Sequence, residues 1–504
     1  MKNKQVTFGA LFSYILIILN AVYGLFLTPF IVSQIGEASY GVYKTISSFS
    51  SALMVLDLGL GGTMMRYIAK YRADKEDEKI PNFLFMGGCQ TAAIVSFVGI
   101  ITFVLYFFID NIYANGLTSS EISIAQNLYI YLALGILAHI IENFLNGIIS
   151  GYNKFIFANG IKIVRLLVRI LAIIVFLTIF KNPIVLVAVD LFCTVFFTFI
   201  EIIFLKYSIK VKIKFSYWDK SVFSESFRYT ILMFLTSIVA QANSNFSNIA
   251  IGAFINSTAV TVFSMAILIF GMYEQLSTAI SGVMLPTITN TLKNDDEKYS
   301  KTINVVTQTG RIQFILLGAV FSGFIVLGKP FLDIWLGAGY EDVYFLTLIL
   351  LCPALLELCI NVCLSILRAK NILGFRTVVI FLSAILNLLI TFTTMPYIGY
   401  YSAAIGIASS FLFGSVITMG VFYYKKLKIN ILTLYKNIFK NIWICIILSS
   451  LGAFAVSKIP QTSFLKFLFG FVVYILIYSI TLLLFGLNKN EKNKILNIFR
   501  RKRK

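Results

Sequence analysis

The chain has 504 residues and a formal net charge of +20; 59% of its residues are hydrophobic and 13% are charged. Soluble chains carry about 25% charged residues, so a soluble fold this apolar could not cover its own surface. The basic excess sits in short loops and in the C-terminal run Arg500–Lys504, which points to topology-setting charge and contact with anionic headgroups rather than to nucleic acid.

The apolar residues fall in runs of about 20, the length that crosses a hydrocarbon core of roughly 30 Å. The expected fold class is an all-α integral membrane protein of about fourteen transmembrane helices. The expected spans are 8–32, 40–65, 83–109, 124–149, 158–180, 183–205, 226–251, 258–284, 303–328, 343–367, 373–395, 400–424, 436–457 and 462–487. The first follows Met1–Lys4, is too long for a signal-peptide core and lacks an A-x-A cleavage site, so it reads as a retained span.

Polar residues inside spans normally face a bundle interior or a wet cavity. Span 2 carries Lys44, Ser48, Ser51, Gly59, Gly62 and Arg66 on one face. As one continuous helix it would place Lys44 and Arg66 roughly 33 Å apart. Span 4 carries His139, Glu142, Asn143, Asn146 and Ser150, and span 5 opens with Lys162, Arg165 and Arg169. Span 7 has Ser237, Gln241, Ser244 and Asn248; span 8 has Glu274, Ser277, Thr278 and Ser281; span 10 has Glu357, Asn361, Ser365 and Arg368. The intramembrane carboxylates on this reading are Asp57, Glu142, Glu274 and Glu357, with Glu142 beside His139 the first choice for a proton-responsive site. The plainer reading of these stripes is an interhelical hydrogen-bond network, and of span 2 a small-residue packing seam with snorkelling ends. The six cysteines all lie in apolar segments without a metal-binding pattern and read as packing residues.

All but five of the 42 basic residues fall on one side of this layout: Lys181, Lys329, Lys458 and Lys466 fall on the other, and Lys44 lies within a span. That asymmetry places both termini in the cytoplasm of a multi-pass membrane protein. The longest outer loops, 110–123 and 329–342, have no room for a folded domain, and no P-loop is present. An enzyme is therefore not expected, nor is a cofactor or a metal.

The chain also repeats itself. Residues from Gly151 resemble residues from Arg368 at an offset of about 217, and 31–80 match 251–300 at an offset of about 220. Six spans duplicate as six in parallel orientation, related by a pseudo-two-fold along the membrane normal. The expected organisation is an N-lobe over 1–205 (spans 1–6), a C-lobe over 206–424 (spans 7–12), and spans 13–14 with a basic tail over 425–504. Two such lobes suggest alternating access around a central cavity.

The stretch IGEASYGVYKTISSF…LDLGLGGTMMRYIAKY, Ile35 to Tyr71, resembles the signature region of polysaccharide transporters and O-antigen flippases. These belong to the multidrug/oligosaccharidyl-lipid/polysaccharide (MOP) superfamily, whose MATE members share the layout. The features are Tyr40-Gly41, the D-L-G-L-G run Asp57–Gly61 and the Arg-Tyr-x-Ala of Arg66–Ala69. The resemblance implies movement of an undecaprenyl-diphosphate-linked oligosaccharide to the outer leaflet through a cationic cavity, driven by an ion gradient. Lys44, Arg66, Arg165 and Arg169 are the candidate cationic path. Asp57, His139, Glu142, Asn146, Gln241, Asn248, Glu274 and Glu357 are the candidate cavity or coupling residues. The partners implied are the lipid-linked oligosaccharide, membrane lipids, a coupling proton or sodium ion and a polysaccharide polymerase, with a monomer as the working unit. A multidrug antiporter would be expected to carry a carboxylate in span 1, which has none. A lipid II flippase would be expected to carry several first-lobe arginines, which the chain offers in part. A membrane glycosyltransferase or polymerase is disfavoured by the short loops.

Overall fold

The computed structural model describes residues 2–54, 57, 59–218, 224, 245–292, 299–369, 372, 374–457, 464–488 and 491–492. Backbone polar groups in hydrocarbon must be satisfied within their own segment, and the described residues accordingly fold as helices joined by short turns. They group into two compact units, Met1–Ser264 and Met265–Lys504.

The first unit contains α1 (Lys2–Ile35), α2 (Glu37–Met54), α3 (Leu60–Ala73), α4 (Ile80–Tyr106), the short α5 (Ile109–Tyr113), α6 (Ser119–Gly151), α7 (Phe155–Phe180) and α8 (Ile184–Phe204). Helical residues 245–254 and the start of α9 (Ser257–Leu292) complete it. The second unit takes the rest of α9, then α10 (Tyr299–Trp335), α11 (Glu341–Ile360), α12 (Cys363–Ala369), α13 (Gly374–Ile398) and α14 (Tyr401–Ser410). A π-helical stretch, Phe411–Thr418, joins α14 to α15 (Met419–Leu427); α16 (Ile431–Phe439), α17 (Ile442–Ser457) and α18 (Phe464–Thr481) follow.

Among the described residues, eleven helices are long and apolar enough to cross a membrane, and a twelfth span forms if the bent pair α16–α17 counts as one. The expected span 226–251 lies mostly outside the described residues. Large apolar side chains such as Phe176 and Ile179 on α7, and Phe192 and Phe199 on α8, are exposed. That is the surface lipid requires, because hydrocarbon gives helices no hydrophobic reason to hide such groups.

The second expected span departs from the continuous helix that the sequence suggests. It breaks between α2 and α3, so Lys44 and Arg66 do not share one helical face. Gly59 adopts φ 69°, a left-handed conformation that costs glycine little. Asp57 stabilises the break: its Oδ1 accepts the Gly59 N–H at 2.8 Å, and its Oδ2 accepts Asn143 Nδ2 at 2.5 Å. Beyond the break α3 lies close on α6. A Cβ at Gly61 would come within 2.6 Å of Asn143 Oδ1, and one at Gly147 would strike the Gly61 backbone. The D-L-G-L-G run therefore has a local physical purpose, a helix break followed by a close helix–helix seam.

The expected span 436–457 is also interrupted. α16 and α17 meet at 47°, with Asn441 at φ 67°. Arg311 of α10, 2% exposed, caps this junction. Its Nη1 donates to the carbonyls of Asn437 (3.0 Å) and Lys440 (3.1 Å), and its Nη2 to that of Gly486 (3.0 Å). Nε donates to Glu491 at 2.7 Å. One guanidinium thus satisfies helix-end carbonyls that lipid could not solvate.

Candidate functional site

Several charged residues of the first unit converge where α6, α7 and α8 pack. α6 starts at a capping box: Thr118 N–H donates to Glu121 Oε2 at 2.8 Å, and Thr118 Oγ1 accepts the Glu121 N–H at 3.4 Å. α7 ends at Lys181, φ 46°, and α8 begins straight after Pro183, with Asn182 Oδ1 accepting the Ile184 N–H at 2.9 Å. So tight a turn makes α7 and α8 antiparallel neighbours, and each step of four along α7 is matched by a step of four back along α8.

That register pairs Arg169 with Asp190, Nη2 to Oδ2 at 2.8 Å, and Arg165 with Thr194, Nη2 to Oγ1 at 2.6 Å. The second side of the Arg165 guanidinium forms an ion pair with Glu142 of α6. Glu142 is 6% exposed, and its Oε2 lies 3.3 Å from His139 Nδ1. One turn on, Asn146 Nδ2 donates to Glu201 Oε1 of α8 at 3.1 Å. The Arg169 guanidinium lies over the ring of Tyr23 on α1 at 5.2 Å. Lys44 Nζ stands 5.4 Å from the Tyr40 ring centroid and 6.0 Å from that of Tyr43, and feels the charge of Arg169.

Lys44, Arg165, Arg169, His139, Glu142 and Asn146 are thus brought into one half-buried belt. Arg66 sits exposed on α3, with an interaction of its own. Asp57 is held at the α2–α3 break by Asn143, the residue after Glu142. Asn248 belongs to a buried hydrogen-bond seam, donating to Ser48 Oγ at 2.9 Å and accepting from Ser264 Oγ at 3.3 Å. Glu274 and Glu357 lie in the second unit within electrostatic reach of each other, and Glu357 also faces Arg376 and hydrogen-bonds Ser415. Gln241 lies outside the described residues.

Two carboxylates were missing from the four that the sequence suggested. Asp190 and Glu201 sit inside the highly apolar α8 and supply partners to the belt. A signal was present: Asp190, Thr194, Thr198 and Glu201 recur at steps of four, four and three, a single helical face. The belt can hold an anion by exchange, with an incoming anionic group replacing a carboxylate on a guanidinium already oriented for bidentate contact.

The second unit offers a different feature. An apolar groove of about 350 Å³ runs between α10 and α18, lined by Val320, Phe324, Phe331, Phe467, Phe471 and Tyr474. Tyr474 closes one wall through its hydroxyl, which lies 2.6 Å from Ser322 Oγ.

The all-helical fold is shared with solved structures of a lipid II flippase and of MOP-superfamily transporters. The structure of the lipid II flippase MurJ, in an inward closed conformation, superposes with a TM-score of 0.70 at 15% identity, covering 94% of this chain and 97% of that one. An inward-facing MATE-family multidrug resistance transporter of the MOP superfamily gives a TM-score of 0.53 at 15% identity, over 84% of this chain and 96% of its own. The chain belongs to the polysaccharide biosynthesis protein family, which it matches over residues 86–344. An uncharacterized membrane protein of Methanocaldococcus jannaschii is 26% identical over 156 residues, a stretch that spans 30% of this chain and 30% of that relative.

Proposed function

We propose that the chain is a flippase that carries an undecaprenyl-diphosphate-linked oligosaccharide from the cytoplasmic to the outer leaflet of the bacterial inner membrane by alternating access. The repeat unit is that of an O-antigen, a capsule or an exopolysaccharide, and both termini are cytoplasmic. The observation that carries this reading is the half-buried belt of Lys44, Arg165 and Arg169. A diphosphate entering low dielectric is stabilised only by pairing with cations. In the structure the two arginines are held by Glu142 and Asp190. The carboxylates keep the cations neutralised and oriented, and the diphosphate takes their place.

The test is complementation of a strain lacking the chain, with membrane protein levels checked by blotting. Lys44→Ala and Arg169→Ala should each lose most surface polysaccharide. Lys329→Ala, which removes an exposed charge stacked on Phe345, and Lys504→Ala should restore it. Full polysaccharide from both Lys44→Ala and Arg169→Ala at normal expression overturns the cationic-path mechanism. The MurJ-like fold favours one second reading, lipid II as substrate, because its carrier presents the same diphosphate chemistry. Under that reading the strain fails in cell-wall synthesis while surface polysaccharide falls only secondarily. A strain that keeps its polysaccharide but becomes drug-sensitive points instead to a multidrug antiporter.

A further inference from the structure

Glu201 is the most deeply buried charged residue of the belt, 1% exposed near the end of α8. Its Oε1 accepts the Asn146 amide at 3.1 Å, but its Oε2 is buried without a hydrogen-bond partner among the described residues. One turn earlier Thr198, 9% exposed, also buries an Oγ1 with no partner among the described residues. The charged groups facing Glu201 are Glu142 from α6 and Lys162 and Arg165 from α7. Among the described residues no cation comes within ion-pair distance of it, and Arg165 is already engaged by Glu142 and Thr194. A buried carboxylate oxygen with no donor and no ion pair is among the costliest arrangements a protein can hold. A proton removes that cost with one atom and no added ligands, whereas a metal ion would need several more oxygens than this site presents.

We infer that Glu201 is a proton-binding site whose occupancy sets the charge of the belt toward an anionic headgroup, an inference that rests on the flippase reading for its ligand. With Glu201 ionised, Glu142 and Glu201 balance Lys162 and Arg165. Binding one proton from water, carboxylate plus proton giving the neutral acid, leaves the same four groups with one net positive charge. The acid form therefore favours a diphosphate, and the ionised form releases it. Asn146 is a positioning residue in this scheme, because it holds one oxygen of Glu201 and leaves the other to take the proton.

The experiment uses the full-length chain in lipid nanodiscs. Infrared difference spectra between acid and alkaline buffer report a protonated-carboxyl band, and equilibrium binding of undecaprenyl diphosphate is measured over the same pH range. A band that titrates reversibly in the unaltered chain, is lost in Glu201→Gln and is displaced in Glu201→Asp supports the proposal. Across the same pH range the unaltered chain should gain about tenfold in probe affinity on the acid side relative to Glu201→Gln, as expected for one added charge, the variant's own profile carrying the titration of the probe's terminal phosphate. Gln keeps the shape of Glu and can still accept the Asn146 amide, and the unaltered chain's own titration is read alongside it. A band that persists in Glu201→Gln, or one moved by sodium instead of by pH, overturns the proposal. A band that behaves as expected with no binding of undecaprenyl diphosphate at any pH supports the proton site and counts against the flippase reading.

Discussion

α7 in the first unit and α13 in the second each follow a short basic segment and have nearly the same length, yet they bury opposite chemistry. α7 turns Arg165 and Arg169 into ion pairs with α6 and α8. α13 buries Ser383, Asn387 and Thr391, with Thr391 Oγ1 donating to Asn387 Oδ1 at 3.2 Å. At the positions that the repeat offset pairs with the two arginines stand Leu382, 58% exposed, and Leu386. Glycines close the α13 seam: a Cβ at Gly406 would press on Asn387 and Thr391, and one at Gly414 on Ser383. Similar helical framing therefore serves two ends. Ion pairs hold the α7 face, while hydroxyl and glycine packing holds the α13 face.

Breaking the belt should give the largest effect. Arg165→Ala leaves Glu142 buried without its cation, a loss of about 3–5 kcal/mol by the precedent of broken buried pairs. It should lower the thermal midpoint of the purified protein and abolish polysaccharide export. Leu382→Ala at the paired position in the second unit should leave both unchanged. Adding Glu142→Gln to Arg165→Ala should recover much of the stability and none of the export, separating the structural from the functional role of the pair.

Arg311→Met tests the opposite expectation for a second-unit charge placed to cap helix ends. Removing the donors that cap Asn437, Lys440 and Gly486 should destabilise the fold by about 2–4 kcal/mol. Export measured per folded molecule, by fluorescence-detected size exclusion alongside polysaccharide assay, should remain near normal. A loss of specific activity in Arg311→Met would end the contrast between the two units.

The smallest effect is expected at the helix break. Gly61→Ala must move Asn143 and should cost about 1–3 kcal/mol, measured as a lower thermal midpoint. Gly62→Ala, where a Cβ meets nothing within 4 Å, should be neutral or slightly stabilising. Equal effects at the two positions would show that the α3–α6 seam is looser than the structure places it.

What the sequence determined alone is what lipid demands locally. Apolar runs long enough for the bilayer, basic loops and polar residues at helical spacing are readable without knowing any neighbour, and they mark most of the long apolar helices and single out Lys44, Glu142, Arg165 and Arg169 as charges within them. The MOP-type fold was legible too, because the Asp57–Gly61 run and the Tyr40-Gly41 pair are short and contiguous. Only the tertiary structure decided which charges meet. Arg165 is 23 residues from Glu142, and Asp57 is 86 from Asn143; helix packing alone sets such pairings. Asp190 and Glu201 were hidden for a related reason. An apolar span hides two carboxylates from a hydropathy reading, and only the facing cations of α7 and the amide of Asn146 show why those acids can lie there.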